Sequence, residues 1–311
     1  MAILSAILVI LGLSLFEGVS SIDNAVINAE VLSGMGERGR RWFLLWGLLF
    51  AVVVVRGVLP WLIVWLSTPS LGPLGSLTAT FTSDPRAAAA IAASSPLLLL
   101  GGGVFLLFLF FHWLFLEDKE YGLRGEQFFL SQSAWFYATV SLFLTAIIWF
   151  ALQRDSMLAF AAVVGSTAFF VIHGFRRQME EEGRKLVGGT RSDLSKLLYL
   201  EALDATFSID GVLGAFAFTF SIPLIILGNG FGALILRQLT IGNIARIKTY
   251  RYLKNGAMYS ILGLSLIMLS NGFGVHIPEW LSPIATAGVV GYFFWKSKRE
   301  IKNRVRVRDR G

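Results

Sequence analysis

The stretch LFEGVSSIDNAV, residues 15–26, places two carboxylates, Glu17 and Asp23, inside an apolar run that extends from residue 3 to residue 32. A charged side chain at the centre of a lipid bilayer costs about 2.5–3.5 kcal/mol on insertion scales. Ionisable residues that are kept at that depth usually face the protein interior and serve a function. The stretch therefore predicts a transmembrane helix that carries part of a functional site.

The composition is typical of a polytopic membrane protein, since 55% of the 311 residues are hydrophobic and only 15% are charged. The first residues, MAILSAILVI, lack a basic segment, so we interpret them as the first transmembrane helix and not as a signal peptide. The absence of cysteine excludes disulfides and thiolate metal sites. The sequence contains no phosphate-binding loop, nucleophile triad or zinc-protease motif, so we do not expect an enzyme.

The apolar stretches predict an all-α fold with about nine transmembrane helices. They cover residues 3–32, 43–66, 96–116, 128–151, 157–175, 197–220, 222–241, 257–273 and 282–295. With the amino terminus outside, the inner connections and the tail contain 23 Lys and Arg residues and the outer connections contain two. This asymmetry follows the positive-inside rule and predicts a cytoplasmic carboxyl terminus.

One transporter domain over residues 1–295 is predicted, followed by a basic cytoplasmic tail over residues 296–311. The domain divides into repeat halves over residues 3–151 and 197–295, a linker helix over 157–175 and a cytoplasmic loop over 176–196. The net charge of +7 comes from basic loops and the tail, which we expect to lie against anionic lipid headgroups. A nucleic-acid partner is not expected, and a homo-oligomer is compatible with the sequence.

The opening stretch has a second copy, ALDATFSIDGVL, at residues 202–213. Without gaps, Glu17 aligns with Asp204, Ser21 with Ser208, and Asp23 with Asp210. Buried acids are rare in membrane proteins, so this repetition is not expected by chance.

An arginine follows each copy, in GLLFAVVVVR, which ends at Arg56, and in GNGFGALILR, which ends at Arg237. The two motif helices are the first and sixth predicted spans, so they cross the membrane in opposite directions. Inverted repeats of this kind place a substrate site near the bilayer midplane, between the halves.

The polar residues of the two copies form an all-oxygen set that suits hard divalent cations such as Mn²⁺, Ca²⁺ and Mg²⁺. The candidate metal ligands are Glu17, Ser21, Asp23, Asn24, Asp204, Ser208 and Asp210. The cation is expected as the substrate, with no tightly bound cofactor. Asp23 lies about 240° around a regular helix from Glu17. Either Asp23 faces a different neighbour, or the helix unwinds near Gly18 so that both acids reach one ion.

Four carboxylates in a low-dielectric site need compensating charge. Arg56 and Arg237, bound protons or the metal ion would supply it, which suggests the hypothesis that metal passage is coupled to proton movement. Glu201 is a candidate entry carboxylate. Alternatively, the acids and arginines form closed interhelical clamps without transport. His112 and His173 near the cytoplasmic ends of their spans are interpreted as interfacial or packing residues and not as metal ligands.

The motifs EGVSSIDNAV and EALDATFSID resemble the paired signatures of the TerC family of integral membrane proteins, which is linked to tellurium resistance. The first motif matches at Glu17, Ser21, Asp23 and Asn24, and the second matches at Glu201, Asp204, Phe207, Ser208 and Asp210. The resemblance implies a fold of the LysE-like superfamily, manganese export or metal homeostasis, and a location in the bacterial inner membrane. Gly211 stands where common members carry serine, which indicates a divergent branch.

Three functions remain open at this point. The first is a secondary exporter of Mn²⁺ or a similar cation, with Asp23 and Asp210 as core ligands. The second is a membrane scaffold that does not transport and recruits stress-response proteins through its basic loops and tail. The third is an oxyanion transporter in which Arg56 and Arg237 bind the substrate.

Overall fold

The computed structural model describes residues 3–47, 49–79, 85–187 and 192–308. Throughout those ranges the regular elements are helices, and no strand occurs in them. The α-helices are α1 (Ile3–Ser20), α2 (Ile22–Ser33), α3 (Glu37–Trp42), α4 (Leu59–Ser67), α5 (Gly72–Ala79), α6 (Pro85–Leu116), α7 (Glu126–Ser131), α8 (Phe136–Leu152), α9 (Ser156–Val187), α10 (Asp193–Ala215), α11 (Ile222–Lys248), α12 (Leu253–Gly272) and α13 (Leu281–Arg308). The prediction of an all-α fold is confirmed for the described chain.

Six helical segments are long and apolar enough to cross a membrane, so the chain is an integral membrane protein. They are Ile3–Ser20, Glu37–Leu66, Ala89–Leu116, Ser133–Leu152, Ser156–Met179 and Leu253–Gly272. The other three predicted spans fall on α10, α11 and α13, where acids, a short apolar stretch (Ile222–Leu236) and basic residues reduce the hydropathic signal. The count of nine spans stays a prediction.

The linker helix is longer than the sequence pattern indicated. We expected a loop from residue 176, but α9 continues to Val187. The expectation of a loop is wrong for residues 176–187, because their Arg, Gln, Met, Glu and Lys residues favour helix even without an apolar face. The described chain resumes at Ser192, whose side chain accepts a hydrogen bond from the backbone N–H of Ser195 and thereby caps α10. Likewise, α13 continues into the predicted tail as far as Arg308.

Helix α6 is the centre of the packed structure. Among the six spans it has the largest buried share, 72% of its most apolar window, and Trp113 on it is fully buried. Glycines allow close approach on two sides. A Cβ at Gly165 of α9 would collide with the carbonyl of Gly101, and a Cβ at Gly103 would lie 2.9 Å from the Leu269 side chain of α12. These contacts fix α6 between α9 and α12.

Candidate cation site

The first motif helix is interrupted at Ser21 and does not unwind at Gly18. Helix α1 ends at Ser20 and α2 begins at Ile22. The N–H of Ser21 still donates to the carbonyl of Glu17 at 3.1 Å, and the N–H of Ala25 donates to that of Ser21 at 3.0 Å. Because helical hydrogen bonds continue across Ser21, Glu17 and Asp23 keep different directions.

Glu17 and Arg56 form a closed ion pair inside the protein. Glu17 is 0% exposed and Arg56 is 2% exposed. The Arg56 Nε donates to Glu17 Oε1 at 3.2 Å, and Nη2 contacts the same oxygen. Ser21 Oγ donates to this oxygen as well, at 2.9 Å. Glu17 Oε1 therefore accepts from several donors, whereas Oε2 has no hydrogen-bond partner in the described structure.

A π-helical segment, Phe50–Val58, carries Arg56 to this position. Arg56 Nη1 donates to the carbonyl of Ala51 at 3.2 Å, five residues earlier in the same segment. π-Helical geometry is rare in proteins and occurs frequently at functional sites. The Arg56 guanidinium on this segment lies inside the protein.

The second motif enters the same cluster through Asp204. Arg56 Nη1 lies 3.5 Å from Asp204 Oδ2. The Asn24 side-chain amide donates to the other oxygen of Asp204, Oδ1. Glu17, Arg56, Asp204, Asn24 and Ser21 form one buried network, which we call the closed cluster.

The two motif helices cross in opposite directions. Glu17 lies against Gly211, the residue that aligns with Asn24, while Asn24 itself contacts Asp204, the residue that aligns with Glu17. Further along, the Lys196 amine donates to the carbonyl of Gly34 at 2.9 Å. Residue numbers therefore rise along α1 and α2 as they fall along α10.

Asp23 and Asp210, the last acids of the two motifs, both line one cavity of about 990 Å³. Asp23 pairs with Lys254 at 2.8 Å, and Asp210 pairs with Arg176 at 2.9 Å. The cavity also contains Glu117, His112 and His173 among its lining residues. Asp210 Oδ1 is buried without a hydrogen-bond partner among the described residues.

Glu117 connects this cavity to the end of α6. Its carboxylate lies 2.6 Å from Lys254 and 3.5 Å from His112 Nδ1. Burial by itself would raise the pKa of Glu117, but the contacts with His112 and Lys254 outweigh it and hold this pKa well below its ordinary value. Burial lowers the pKa of nearby Lys119 to about 8. Because its own pKa is lowered, Glu117 is a carboxylate over the whole neutral pH range.

The profile of one protein family, described as protein of unknown function (DUF475), matches residues 22–305 of the chain. The chain belongs to this family. Comparison of the chain with curated proteins and with solved structures found no match. The DUF475 match begins at the second half of the first motif and includes the whole of the second one.

In this DUF475 protein the predicted ligands divide into two groups. Glu17, Ser21, Asn24 and Asp204 lie in the closed cluster, while Asp23 and Asp210 lie on the cavity. Of the two alternatives for Asp23, the structure shows a different neighbour, Lys254. Within the described residues, no three His, Asp or Glu side chains are grouped closely enough to hold one metal ion.

In the part of the chain that the structure describes, the remaining predicted residues belong neither to the closed cluster nor to the lining of the cavity. The Ser208 hydroxyl donates to the carbonyl of Asp204, one turn earlier, at 2.7 Å. Glu201 lies one turn before Asp204 on α10 and has an interaction of its own. The Arg237 side chain lies outside the described residues.

Three cavity-lining residues, Arg176, Lys254 and Glu117, and the contact between His112 and His173 escaped the sequence reasoning. The two imidazole ring centroids are 3.8 Å apart, although 61 positions separate them in the chain. Arg176 and Lys254 were interpreted as orientation signals in connecting loops. The only local signal was that His112 and His173 both interrupt phenylalanine-rich spans near the same predicted membrane surface.

Proposed function

We propose that this protein is a secondary transporter of a divalent metal cation, with Mn²⁺ as the preferred candidate. The observation that carries the proposal is that Asp23 and Asp210, equivalent positions of the two motifs, line the same cavity. Asp23 on α2 pairs with Lys254 of α12. Asp210 on α10 pairs with Arg176 of α9. Such an arrangement lets a mobile cation replace the bound amine and guanidinium groups.

The donor set of the cavity favours a cation that accepts oxygen and imidazole ligands. Asp23, Asp210 and Glu117 line the cavity with carboxylates and His112 and His173 with imidazoles, and these groups would have to move closer together to hold one ion. Mn²⁺ binds both ligand types, whereas thiolate-seeking ions lack their preferred ligand in a chain without cysteine. Lys254 and Arg176 would have to withdraw when the ion enters, because both now occupy the carboxylates.

The resemblance to the TerC family agrees with this function and supports three finer proposals. We propose nine membrane spans in an inverted repeat, with the amino terminus outside and the carboxyl terminus in the cytoplasm. The antiparallel crossing of the motif helices supports the repeat, and the distribution of Lys and Arg supports the orientation. We also propose the bacterial inner membrane as the location.

The geometry is unfavourable for an oxyanion substrate. Arg56 is 2% exposed, and its guanidinium is bound to Glu17, Asp204 and the carbonyl of Ala51. An anion approaching it would meet two carboxylates before the positive charge is free. Cation transport therefore has the stronger physical support.

Measurement of Mn²⁺ flux into proteoliposomes tests the proposal. We expect Asp23→Asn and Asp210→Asn to reduce flux by about tenfold or more, because each removes a charged ligand that neutral amide oxygens replace poorly. Asp155→Asn is the matched control, since Asp155 is exposed, caps α9 and lies away from the cavity, and Asn caps helices equally well. Unchanged flux in both cavity variants would exclude this function.

A further inference from the structure

An apolar groove of about 700 Å³ lies between α1, α11 and α13. It opens on the surface of the molecule, since Leu11 and Ile235 in its lining are 61% and 55% exposed. Among the described lining residues only Ser14 and Tyr250 carry polar side chains, and the Ser14 hydroxyl already donates to the carbonyl of Gly228 at 2.9 Å. Leu11 belongs to a candidate membrane span, so the groove faces lipid.

Two glycines leave space in this groove. A Cβ at Gly12 would lie 2.8 Å from the Cβ of Pro283, so α1 and α13 touch at that level. Farther along the same two helices, Gly18 and Gly291 both line the groove, and a Cβ at either position would meet nothing within 4 Å. The groove is therefore open where these two helices lack side chains.

The length of the groove matches one leaflet of a bilayer. Its lining extends from Leu11, in the middle of the candidate span Ile3–Ser20, to Ile22. A helix rises about 16 Å between these two residues. The hydrocarbon layer of one leaflet is about 15 Å thick, half of the full core. An extended acyl chain that enters from one membrane surface therefore fits along the groove.

The face of α13 that lines the groove continues into a basic residue. Gly291 and Phe294 line the groove, and the exposed Lys298 follows Phe294 one turn later on the same face. Tyr250 stacks on Phe294 at this end, with ring centroids 5.0 Å apart. Aromatic rings and lysines are typical of the membrane–water interface, where a lysine attracts anionic headgroups. The positive charge thus lies at the end of the groove where a lipid headgroup would lie.

We propose that this groove binds one acyl chain of an anionic phospholipid, with the headgroup at Lys298. Because the surrounding lipid is as apolar as the groove, burial of the chain brings no hydrophobic gain, and the charge of Lys298 supplies the preference for one lipid class. Val19, Ile22 and Leu253 line both the groove and the cavity of the proposed cation site, so the lipid lies one layer of side chains from that cavity.

Native mass spectrometry of the delipidated full-length protein in detergent, titrated with phosphatidylglycerol or with phosphatidylcholine of the same chain length, tests the site. We expect one phosphatidylglycerol to bind at saturation, and phosphatidylcholine to bind more weakly. Gly18→Leu and Gly291→Leu should each weaken this binding by about tenfold or more, because a filled groove removes the dispersion contacts of the acyl chain. Gly288→Leu is the matched control and should leave binding unchanged, since Gly288 also has open space at its Cβ position but does not line the groove.

The headgroup contact is tested by a second pair of variants. Lys298→Gln should reduce the preference for phosphatidylglycerol over phosphatidylcholine by about fivefold, which is the attraction expected from one lysine near the membrane surface. Arg38→Gln removes an exposed charge of α3 and should leave the preference unchanged. The thermal unfolding midpoint without lipid shows which variants are folded. Because Gly18 and Gly291 lie on different helices, one folded leucine variant is sufficient.

Two results would overturn the lipid site. The first is equal binding of both lipids by the unmodified protein, or phosphatidylglycerol binding that is unchanged in a folded leucine variant. The second is a lipid-free dimer that is lost in both leucine variants, since the groove would then be an interface between two copies of the chain. Mn²⁺ flux is measured separately from lipid binding, so failure of either proposal leaves the other intact.

Discussion

At the residue scale, the basic partner of each acid says more about the role of that acid than its position in the motif does. Glu17 and Asp23 are six positions apart, yet the first pairs with Arg56 and the second with Lys254. The acidic motif and Arg56 were recognisable in the sequence because an arginine within an apolar stretch is costly and needs a counter-charge. Lys254 was not recognisable, since a lysine in a connecting segment resembles any other basic loop residue.

Arg56 is predicted to be essential for stability. Replacing it by Met leaves Glu17 and Asp204 buried without their counter-ion, and the loss of one partner of a buried pair typically costs about 3–5 kcal/mol. Denaturant unfolding in detergent micelles measures this cost. Arg38→Met, at an exposed position of α3, is the control and should change the free energy of unfolding by about 0.5 kcal/mol or less. Equal stability of the two variants would contradict a structural role for Arg56.

At the element scale, glycines decide how closely the helices approach. Helix α9 contains three glycines, of which Gly165 touches the backbone of α6 and Gly174 has nothing within 4 Å of the position where a Cβ would stand. Helix existence was predictable, because apolar runs of this length form helices in lipid. The extension of α9 to Val187 was missed because polar residues there gave no apolar period. Which glycine faces a partner could not be predicted, since both lie in the same helix.

Alanine substitutions at these two glycines of α9 should therefore change the stability of the protein in opposite directions. Gly165→Ala drives a methyl group into the Gly101 carbonyl and should destabilise the protein by about 1–3 kcal/mol through overpacking. Gly174→Ala meets open space and should be neutral or stabilising by up to about 1 kcal/mol, since Ala is the better helix former. Thermal unfolding of the two purified variants compares them directly. A larger loss in Gly174→Ala would refute the close α6–α9 contact.

At the scale of the whole molecule, the antiparallel crossing of the motif helices organises both groups of acids. It places Glu17 beside Gly211 and Asn24 beside Asp204, so the two copies exchange equivalent contacts. The crossing leaves Asp23 and Asp210 on the cavity, although Asn24 and Gly211, the next residues in the chain, contact members of the closed cluster. One continuous ligand set, which the alignment of the motifs suggested, becomes two neighbouring groups.

The proposed orientation can be measured because the chain contains no cysteine. We expect a single cysteine at Gln153, between α8 and α9, to react with a membrane-impermeant maleimide from outside intact cells. A cysteine at Arg124, before α7, should react only after permeabilisation. The physical basis is the excess of Lys and Arg in the connections assigned to the inner surface. The reverse labelling pattern would mean that the amino terminus lies in the cytoplasm and that the proposed topology is wrong.

The sequence by itself determined a helical membrane protein, two matching acidic motifs and an arginine that must be neutralised inside the bilayer. Those properties follow from hydropathy and from the cost of a buried charge, which act locally along the chain. The tertiary structure alone decided the pairing of Asp210 with Arg176, of Asp23 with Lys254, and of His112 with His173. Such pairs depend on how helices distant in sequence cross, and ridge-and-groove packing sets those crossings through glycines and side-chain shapes spread over many helices.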